Sequence, residues 1–382
     1  MQQEETVNRK LRPLIKWTGG KYEEYSKFSQ LIPGFNNYYE PFFGGGGVFF
    51  ALQPKKLSFL NDKSQDLFTF YQLFREEKFK KQLAEYVTAW DQATTLSKLL
   101  AVKLLEAFQL LINEKIEQKA LEEIVLSYLN NISDKDYNTL FDPIFIIDVA
   151  AFKKLLIKSI IDKFKRIGNI QKNEKKSFST EELKQHIETG VKSGLYLYLR
   201  EVSNKVVSGQ LKLSVEKATA NWYFVREFCY ASMFRFNKKG EFNIPYGGIA
   251  YNNKNFRAKA CAITSSDTAN LFKNASFYNL DFQEFLEQTR PDATDFVFLD
   301  PPYDSEFSEY DQNAFTKDDQ VRLRDSILKC KAKCMVVIKE TEFIRQLYDG
   351  STFNIVHFDK TYTYNVRGRN NRGTKHLVII NY

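Results

Sequence analysis

Residues 296–303 read Phe-Val-Phe-Leu-Asp-Pro-Pro-Tyr. The four apolar residues are typical of a strand that is buried on both faces, and the two prolines prevent the strand from continuing. Asp300 is therefore expected at the carboxyl edge of a sheet. Because open α/β sheets bind ligands in the crevice outside the carboxyl ends of their strands, this stretch predicts a functional site as well as a strand.

The residues that follow the strand suit the recognition of a nucleobase. The Asp300 carboxylate and the Pro301 carbonyl are acceptors, and together they can accept hydrogen bonds from an exocyclic amino group. Pro302 helps to fix the turn, and Tyr303 offers a flat face on which a base can stack. A strand followed by an ordinary proline turn is the alternative, since Pro and Asp are common turn residues. The stretch alone leaves both interpretations open.

A glycine-rich stretch lies far upstream, where residues 39–50 read Tyr-Glu-Pro-Phe-Phe-Gly-Gly-Gly-Gly-Val-Phe-Phe. Four glycines between an acid and an apolar run predict a strand-to-helix turn whose backbone is open to a ligand. The stretch lacks the Gly-Lys-Ser/Thr ending of a P-loop, and its spacing does not match the dinucleotide fingerprint. Asp62 follows at the end of the next apolar segment, where an acid can bind ribose hydroxyls.

With these stretches in this order, the chain resembles the DNA adenine-N6 methyltransferases of the Dam family, the alpha group. In that group the glycine motif precedes the Asp-Pro-Pro-Tyr motif. Four further stretches match in the expected order: residues 16–21 (Lys-Trp-Thr-Gly-Gly-Lys), Asn61–Asp62, Arg235–Asn237 running to residues 242–247, and Asp281–Phe282. The resemblance covers the first quarter and the last two fifths of the chain, whereas residues 90–220 carry no motif of the family.

The resemblance implies a fold and a reaction. The fold is an α/β, Rossmann-like, doubly wound methyltransferase sheet with an inserted, mostly helical DNA-recognition domain. We expect catalytic parts at residues 1–89 and 258–382, and a target-recognition insertion at residues 90–257. The reaction is site-specific transfer of a methyl group from S-adenosylmethionine to N6 of an adenine that is flipped out of double-stranded DNA.

The resemblance also implies roles for individual residues. The catalytic motif is Asp300, Pro301, Pro302 and Tyr303. The residues implied at the cofactor are Trp17, Lys21, Glu40, Pro41, Phe42, Gly44, Gly46, Asp62, Asp281, Phe282 and Asp300. Within this set, Asp281 would bond the adenine amino group of the cofactor, and Phe282 would stack beside it.

A hairpin is predicted at residues 235–248, because turn residues at 238–240 lie between apolar flanks. In the family the matching hairpin enters DNA, which implies DNA contacts by Arg235, Phe236, Asn237, Lys238 and Lys239. Phe236 replaces the tyrosine of the usual pattern. A second basic loop, with Arg367, Arg369 and Arg372, links the last two predicted strands and suits phosphate, with a solvated turn as the alternative.

Charge and composition favour an anionic partner. The chain of 382 residues has 55 Lys and Arg against 47 Asp and Glu, a net charge of +8 and a pI near 9.0. Residues 153–176 hold nine basic and two acidic residues, which predicts either a phosphate-contacting surface or a solvated helix and loop.

The remaining composition argues against metal and membrane roles. The four cysteines, at 229, 261, 330 and 334, show no metal-binding spacing, and no metal is expected. The three histidines, at 186, 357 and 376, fall in no recognisable nucleophile or metal pattern. No run approaches the roughly 20 apolar residues of a membrane span. We therefore expect a cytoplasmic monomer that binds double-stranded DNA, with a cognate restriction endonuclease as partner if it belongs to a restriction-modification system.

Other functions stay open at this point. Cytosine-N4 methylation uses the same pair of acceptors, although that family more often has Ser at the position of Asp300. RNA is an alternative substrate. A catalytically silent DNA-binding module of the same fold is a third possibility, but such a module would be free to lose Asp300, Tyr303, the glycine loop and Asp62, which are all present.

Overall fold

The computed structural model describes residues 11–131, 137–174, 177–303, 315–361 and 373–382. The chain forms two compact units. The sheet unit comprises Met1–Gln72 and Ser265–Tyr382, and the helical unit comprises Leu73–Thr264. Within the described ranges, none of the helices has the length and apolar character needed to span a bilayer.

The strands are β1 (Tyr38–Glu40), β2 (Ser58–Asn61), β3 (Ala275–Tyr278), β4 (Phe296–Leu299), β5 (Lys333–Lys339), β6 (Asn354–Thr361) and β7 (Gly373–Ile380). The helices are α1 (Tyr25–Phe28), α2 (Gly47–Leu52), α3 (Gln65–Leu73), α4 (Glu77–Lys103), α5 (Leu105–Ile112), α6 (Gln118–Asn130), α7 (Val149–Glu174), α8 (Thr180–Val207), α9 (Val215–Phe228), α10 (Phe256–Thr264), α11 (Ser266–Leu271), α12 (Phe282–Thr289), α13 (Lys317–Lys329) and α14 (Glu342–Leu347).

The strands of the sheet unit form one sheet in the order β3-β2-β1-β4-β5-β7-β6. The first five of these are parallel, and β7 is antiparallel to both of its neighbours. This is the doubly wound order with one antiparallel strand added, so the predicted fold class is confirmed. The chain leaves β1 toward β2 and β3 on one side, and β4 and β5 lie on the other side. The switch point, where ligands bind, is therefore between β1 and β4.

Strand β4 is buried on both faces, as its sequence predicts. All four of its residues are at most 1% exposed. On one face Val297 and Leu299 pack in the same apolar cluster as Leu323 of α13. On the other face Phe298 stacks on Phe28 of α1, with ring centroids 5.8 Å apart. Both faces of β4 are therefore filled as far as Leu299, and Asp300 follows as the first polar residue.

Apolar residues at positions 67, 70, 71 and 74 predict one helix from Asp66 to about Ala89, but the structure forms two helices, α3 and α4. The chain breaks at residues 74–76, and Glu76 has an extended backbone. Phe74 and Phe79 are both fully buried. In one straight helix, the five-residue step from Phe74 to Phe79 would place these rings about 140° apart around the helix axis. Such a helix could not bury both rings against the same core.

The boundaries of the two compact units differ from the domain boundaries expected after residues 89 and 257. The units divide after Gln72 and Thr264, and position 89 lies inside α4. The helical spacing of residues 96–112 predicts one helix, but the structure divides this stretch between α4 and α5.

Residues 179–182 (Ser-Thr-Glu-Glu) have the spacing of a capping box and predict a helix that continues to about Leu199, and α8 begins at this point. The Ser179 hydroxyl accepts from the Glu182 amide, and the Glu182 carboxylate accepts from the Ser179 amide, so the capping box is formed. The helix continues to Val207, beyond the predicted end near Leu199. It packs closely on α7. At Gly194 the two helices are so near that an added Cβ would lie only 2.8 Å from the Leu156 Cα.

Candidate active site

Asp300 follows the last residue of β4 and accepts a hydrogen bond from Lys21. The Lys21 Nζ lies 2.5 Å from the Asp300 Oδ1, and it also donates to the Tyr303 hydroxyl at 3.0 Å and to the Gly19 carbonyl at 2.8 Å. The Lys21 side chain is 1% exposed and that of Asp300 is 17% exposed. This pair joins the loop before α1 to the end of β4. A buried ion pair of this kind is stable only if further hydrogen bonds satisfy the ammonium, as Gly19 and Tyr303 do here.

The Tyr303 hydroxyl also contacts His376 of β7. Its oxygen lies 3.2 Å from the His376 Nε2, and the two rings meet edge to face with centroids 5.7 Å apart. An ammonium can only donate, so the phenol oxygen accepts from Lys21 and its proton can be donated to His376. His376 is fully buried. The sequence does not indicate a site role for His376, because its only signal is a histidine at the start of the apolar part of a predicted strand.

The two prolines of the motif differ in exposure. Pro301 is buried and Pro302 is exposed. The Pro302 carbonyl accepts from the Nε2 of Gln320, a buried residue of α13, at 2.9 Å. The helix that covers β4 therefore also holds the turn after it.

The carboxyl end of β2 carries Asp62, which binds the glycine loop. The Asp62 Oδ2 accepts from the Gly44 amide and its Oδ1 from the Ser64 amide, each at 2.8 Å. Burial raises the pKa of Asp62, and these two hydrogen bonds oppose the rise because they favour the ionised form. A carboxylate has about four acceptor positions, so two hydroxyl groups could still bind here.

The glycine loop is less open than its sequence suggests. Gly44 and Gly46 have positive φ angles of 52° and 69°. A Cβ at Gly44 would lie 2.8 Å from the Trp17 Cδ1, and one at Gly46 would lie 2.5 Å from the ring of Phe43. At these two positions, the space that a side chain would fill is therefore already occupied by Trp17 and Phe43. Glycine is required there because Trp17 and Phe43 pack against the loop.

Glu40, the last residue of β1, is a buried acid. Its Oε2 accepts from the Tyr38 hydroxyl at 2.8 Å, and the side chain is 2% exposed. Burial raises the pKa of Glu40 well above its ordinary value, and the charges of Asp300 and Asp62 raise it further, while the Tyr38 hydrogen bond opposes the rise. The ends of three neighbouring strands thus hold three carboxyl groups, an arrangement that favours a cationic ligand.

Asn61 ties together the loops after β1, β2 and β3. Its Nδ2 donates to the carbonyls of Pro41 and Leu280 at 2.9 and 3.0 Å, and its Oδ1 accepts from the Leu280 amide at 2.9 Å. The Nδ2 of Asn279 in turn donates to the Asp62 carbonyl at 2.8 Å. The sequence identifies Asn61 only as part of a motif, because its partners, Pro41 and Leu280, are distant in the chain.

Asp281 and Phe282, which follow β3 closely, contact Arg322 of α13. The Arg322 Nη2 lies 3.1 Å from the Asp281 Oδ2 and 2.8 Å from the Asp319 Oδ1. Its guanidinium lies 4.8 Å from the centroid of the Phe282 ring. Phe282 is buried, and its ring centroid is 5.5 Å from that of Phe42. The Arg322 guanidinium therefore contacts both residues, although no sequence motif includes Arg322.

The predicted hairpin is present in the helical unit. Phe236 and Phe242 form an antiparallel bridge, and the Asn237 amide donates to the Glu241 carbonyl at 2.9 Å. The Asn237 Oδ1 accepts from the amides of Lys239 and Glu241, so this side chain shapes the turn. The Phe236 side chain is 51% exposed. An exposed aromatic ring next to a fixed turn suits insertion into another molecule.

The other residues predicted to contact DNA lie in the hairpin or outside the described residues. Arg235, Lys238 and Lys239 belong to the hairpin, and the Arg235 Nε donates to the Asn243 Oδ1 at 2.9 Å. Arg367, Arg369 and Arg372 lie outside the described residues. Among the residues that are described, no group of three or more His, Cys, Asp or Glu side chains could hold a metal ion.

Comparison with known proteins identifies related sequences along almost the whole chain. Residues 17–133 and 136–364 match the model of the family described as D12 class N6 adenine-specific DNA methyltransferase. The type II methyltransferase M1.LlaDCHI of Lactococcus lactis subsp. cremoris is 24% identical over 381 residues, which are 97% of this chain and 96% of the relative. The type II methyltransferase M.MjaIII of Methanocaldococcus jannaschii is 24% identical over 388 residues, with coverages of 97% and 99%.

A third relative is more similar over a shorter range. The type II methyltransferase M.CviBI of Paramecium bursaria Chlorella virus NC1A is 37% identical over 166 residues. These residues cover 43% of this chain and 60% of the viral protein.

Glu40→Gln tests the buried carboxyl group through the pH dependence of stability. Because burial raises the pKa of Glu40, the folded protein binds this proton more tightly than the unfolded chain does. Its stabilising contribution is complete below the pKa of the unfolded state and is lost as the pH rises through the raised pKa. Glutamine does not ionise, so the free energy of unfolding of Glu40→Gln relative to wild type should increase as the pH rises from the pKa of the unfolded state toward the raised pKa of the folded state.

The measurement is urea unfolding followed by tryptophan fluorescence at several pH values. The control is Glu284→Gln, which removes an exposed carboxyl group of α12 in the same unit. If the stability of Glu40→Gln and of wild type change in parallel with pH, Glu40 has no raised pKa.

Proposed function

Because the chain belongs to the family of D12 class N6 adenine-specific DNA methyltransferases, we propose that it transfers the methyl group of S-adenosylmethionine to N6 of one adenine within a specific DNA sequence. The observation that carries this proposal is the position of Asp300. Asp300 follows the central strand β4 at the switch point of the sheet, and its carboxylate shares the Lys21 ammonium with the Tyr303 hydroxyl.

The three carboxyl groups at the strand ends fit this cofactor. S-adenosylmethionine carries a sulfonium and an ammonium group, and it supplies the electrophilic methyl group when it is bound. Glu40 and Asp300 would balance its positive charge, which would also offset the cost of burying Glu40. Asp62 would accept hydrogen bonds from the ribose hydroxyls. Trp17, Pro41, Phe42 and the glycine loop would surround the rest of the molecule.

Asp281 and Phe282 would bind the adenine of the cofactor. Asp281 would accept from its amino group, and Phe282 would pack against its ring. Since the Arg322 guanidinium now contacts both residues, cofactor binding would require Arg322 to move or to pack on the ring in the same way. Asp319, which also pairs with Arg322, would hold the displaced guanidinium close to the site.

The chain's part in the reaction follows from its acceptors. The N6 amine of adenine is a weak nucleophile, because its lone pair is delocalised into the ring. Asp300 and the Pro301 carbonyl would accept both amino hydrogens and so favour the charge that develops on N6 in the transition state. The hydrogen bond from Lys21 would hold the Asp300 carboxylate in place. The methyl group would pass directly to N6, so no nucleophilic side chain is required.

Tyr303 would receive the face of the target adenine. Its hydroxyl contacts both Lys21 and His376, and two contacts at one end of the ring restrict its orientation. His376 is thus a positioning residue in this proposal. The target must leave the duplex, which costs a few kcal/mol, and the exposed Phe236 of the hairpin would fill the space that it leaves.

The reaction is tested by incubating the protein with S-adenosylmethionine and unmethylated genomic DNA, followed by single-molecule sequencing. We expect N6-methyladenine within one short motif. Asp300→Asn keeps the shape of the side chain but removes its charge, and it should lower the single-turnover rate by at least about a hundredfold, as expected when a transition-state acceptor is weakened. Asp318→Asn, an exposed acid in the first turn of α13, should leave the rate unchanged.

Methylation of cytosine, or equal rates for wild type and Asp300→Asn, would contradict the proposal. Binding of DNA without binding of S-adenosylmethionine in a calorimeter would instead identify a silent DNA-binding module.

The role of Phe236 is tested with a duplex that carries 2-aminopurine at the target position. Phe236→Ala should reduce the fluorescence increase that accompanies flipping, because no apolar group remains to fill the stack, and Phe236→Leu should restore part of it. Tyr128→Ala, an exposed aromatic of α6 in the same unit, serves as control. A fluorescence increase in Phe236→Ala that equals the control would exclude the insertion of this ring.

A further inference from the structure

Helices α7 and α8 enclose a basic cleft in the helical unit. The cleft has a volume of about 650 Å³. Five basic side chains line it: Lys158, Lys163 and Arg166 of α7, and Arg200 and Lys205 of α8. The acids that line it are Asp162, Glu201 and Glu241. The cleft is therefore positively charged, and its α7 side belongs to the basic stretch at residues 153–176.

The basic side chains of the cleft outnumber its acids by five to three. Within the described ranges, no ion pair is formed by any of the five, whereas Lys172 near the end of the same helix pairs with Glu114. Burial lowers the pKa of Lys163, and the neighbouring Arg166 lowers it further. An excess of positive charge that is not held in ion pairs favours the binding of an anion, which would relieve the repulsion.

Arg200 gives a second indication of an anionic ligand. Its Nη1 donates to the Ile244 carbonyl at 2.9 Å, but its Nε is buried without a hydrogen-bond partner among the described residues. A buried donor of a charged group that lacks a partner is costly. An anionic oxygen in the cleft could accept from this nitrogen.

Helix α8 also holds the hairpin beside the cleft. The Asn204 side chain forms two hydrogen bonds with the backbone of Phe242, at 2.9 and 3.1 Å. The Tyr196 hydroxyl donates to the Ile244 carbonyl at 2.8 Å, as Arg200 does. Positions 196, 200 and 204 share one face of the helix, since they are four residues apart. Glu241 of the hairpin lines the cleft, so a molecule bound by the hairpin passes close to it.

We propose that the basic cleft between α7 and α8 binds the phosphate backbone of DNA that flanks the sequence contacted by the hairpin. The inference rests on the proposed function. It favours the phosphate-contacting interpretation of residues 153–176 and adds Arg200 and Lys205 of α8 to the DNA-binding surface. Lys154 and Lys165 are exposed on α7 and continue the row of positive charge. The row from Lys154 to Arg166 extends over about 18 Å of helix, so it matches the repeated charges of a polyanion rather than a single phosphate.

The test is the salt dependence of binding to a fluorescein-labelled 30-base-pair duplex that contains the methylation motif near one end. In the double variant Lys158→Gln/Arg166→Gln, the slope of log Kd against log salt should decrease by about 2, since each lost phosphate contact removes about 0.9. Affinity should fall equally for duplexes of different flanking sequence. On a short duplex that ends close to the motif, the variant and wild type should bind alike.

The matched control is Lys103→Gln/Lys119→Gln, which removes two exposed positive charges from α4 and α6 of the same unit. A slope for the cleft variant equal to that of the control would overturn the proposal. It would also be overturned by an affinity loss on the short duplex alone, or by preferential loss of binding to an RNA duplex of the same length. The readout is binding, so a wild-type protein that binds DNA but does not methylate it would contradict the proposed function and not this inference.

Discussion

The hydrogen bond between the Lys21 ammonium and the Asp300 carboxylate brings together the parts of the proposed active site. Lys21 precedes the first helix and is almost fully buried, while Asp300 follows the central strand of the sheet. A charge in that position must be compensated, and the Gly19 carbonyl and the Tyr303 hydroxyl complete its hydrogen bonds. Through Tyr303 the same group of contacts reaches His376 on β7, and so it spans the sheet from its central strand to its antiparallel strand.

Crowding of acids is the second constraint on the site. The doubly wound topology makes β1, β2 and β4 end at one edge, and each of them ends at or is followed by a carboxyl group. Burial and mutual repulsion make this arrangement costly unless cations or protons compensate it. Lys21 supplies one positive charge. The sulfonium and ammonium groups of the proposed cofactor would add positive charge at the same edge, which gives a reason for a buried acid such as Glu40 there.

The sequence predicts the parts of the structure that depend on local patterns. The buried strand before Asp300, the doubly wound sheet and the capping box at Ser179 are confirmed, and so is the relationship to DNA adenine-N6 methyltransferases. The break between α3 and α4 was missed, because it depends on how Phe74 and Phe79 pack and not on a helix-breaking residue. The contacts of His376 with Tyr303, of Arg322 with Asp281 and of Asn61 with Leu280 could not be predicted, because these partners are distant in the chain. The roles of the individual site residues and of the hairpin stay predictions.

Hydrogen–deuterium exchange with and without saturating S-adenosylmethionine tests the central claim most directly, namely that distant segments of the chain form one cofactor site at this edge of the sheet. The account predicts that backbone amides in residues 41–47, 62–64 and 279–283 become protected together, at the same cofactor concentration, while α5 and α6 of the helical unit do not change. Protection confined to other segments, or none in these three while the cofactor is bound, would contradict it.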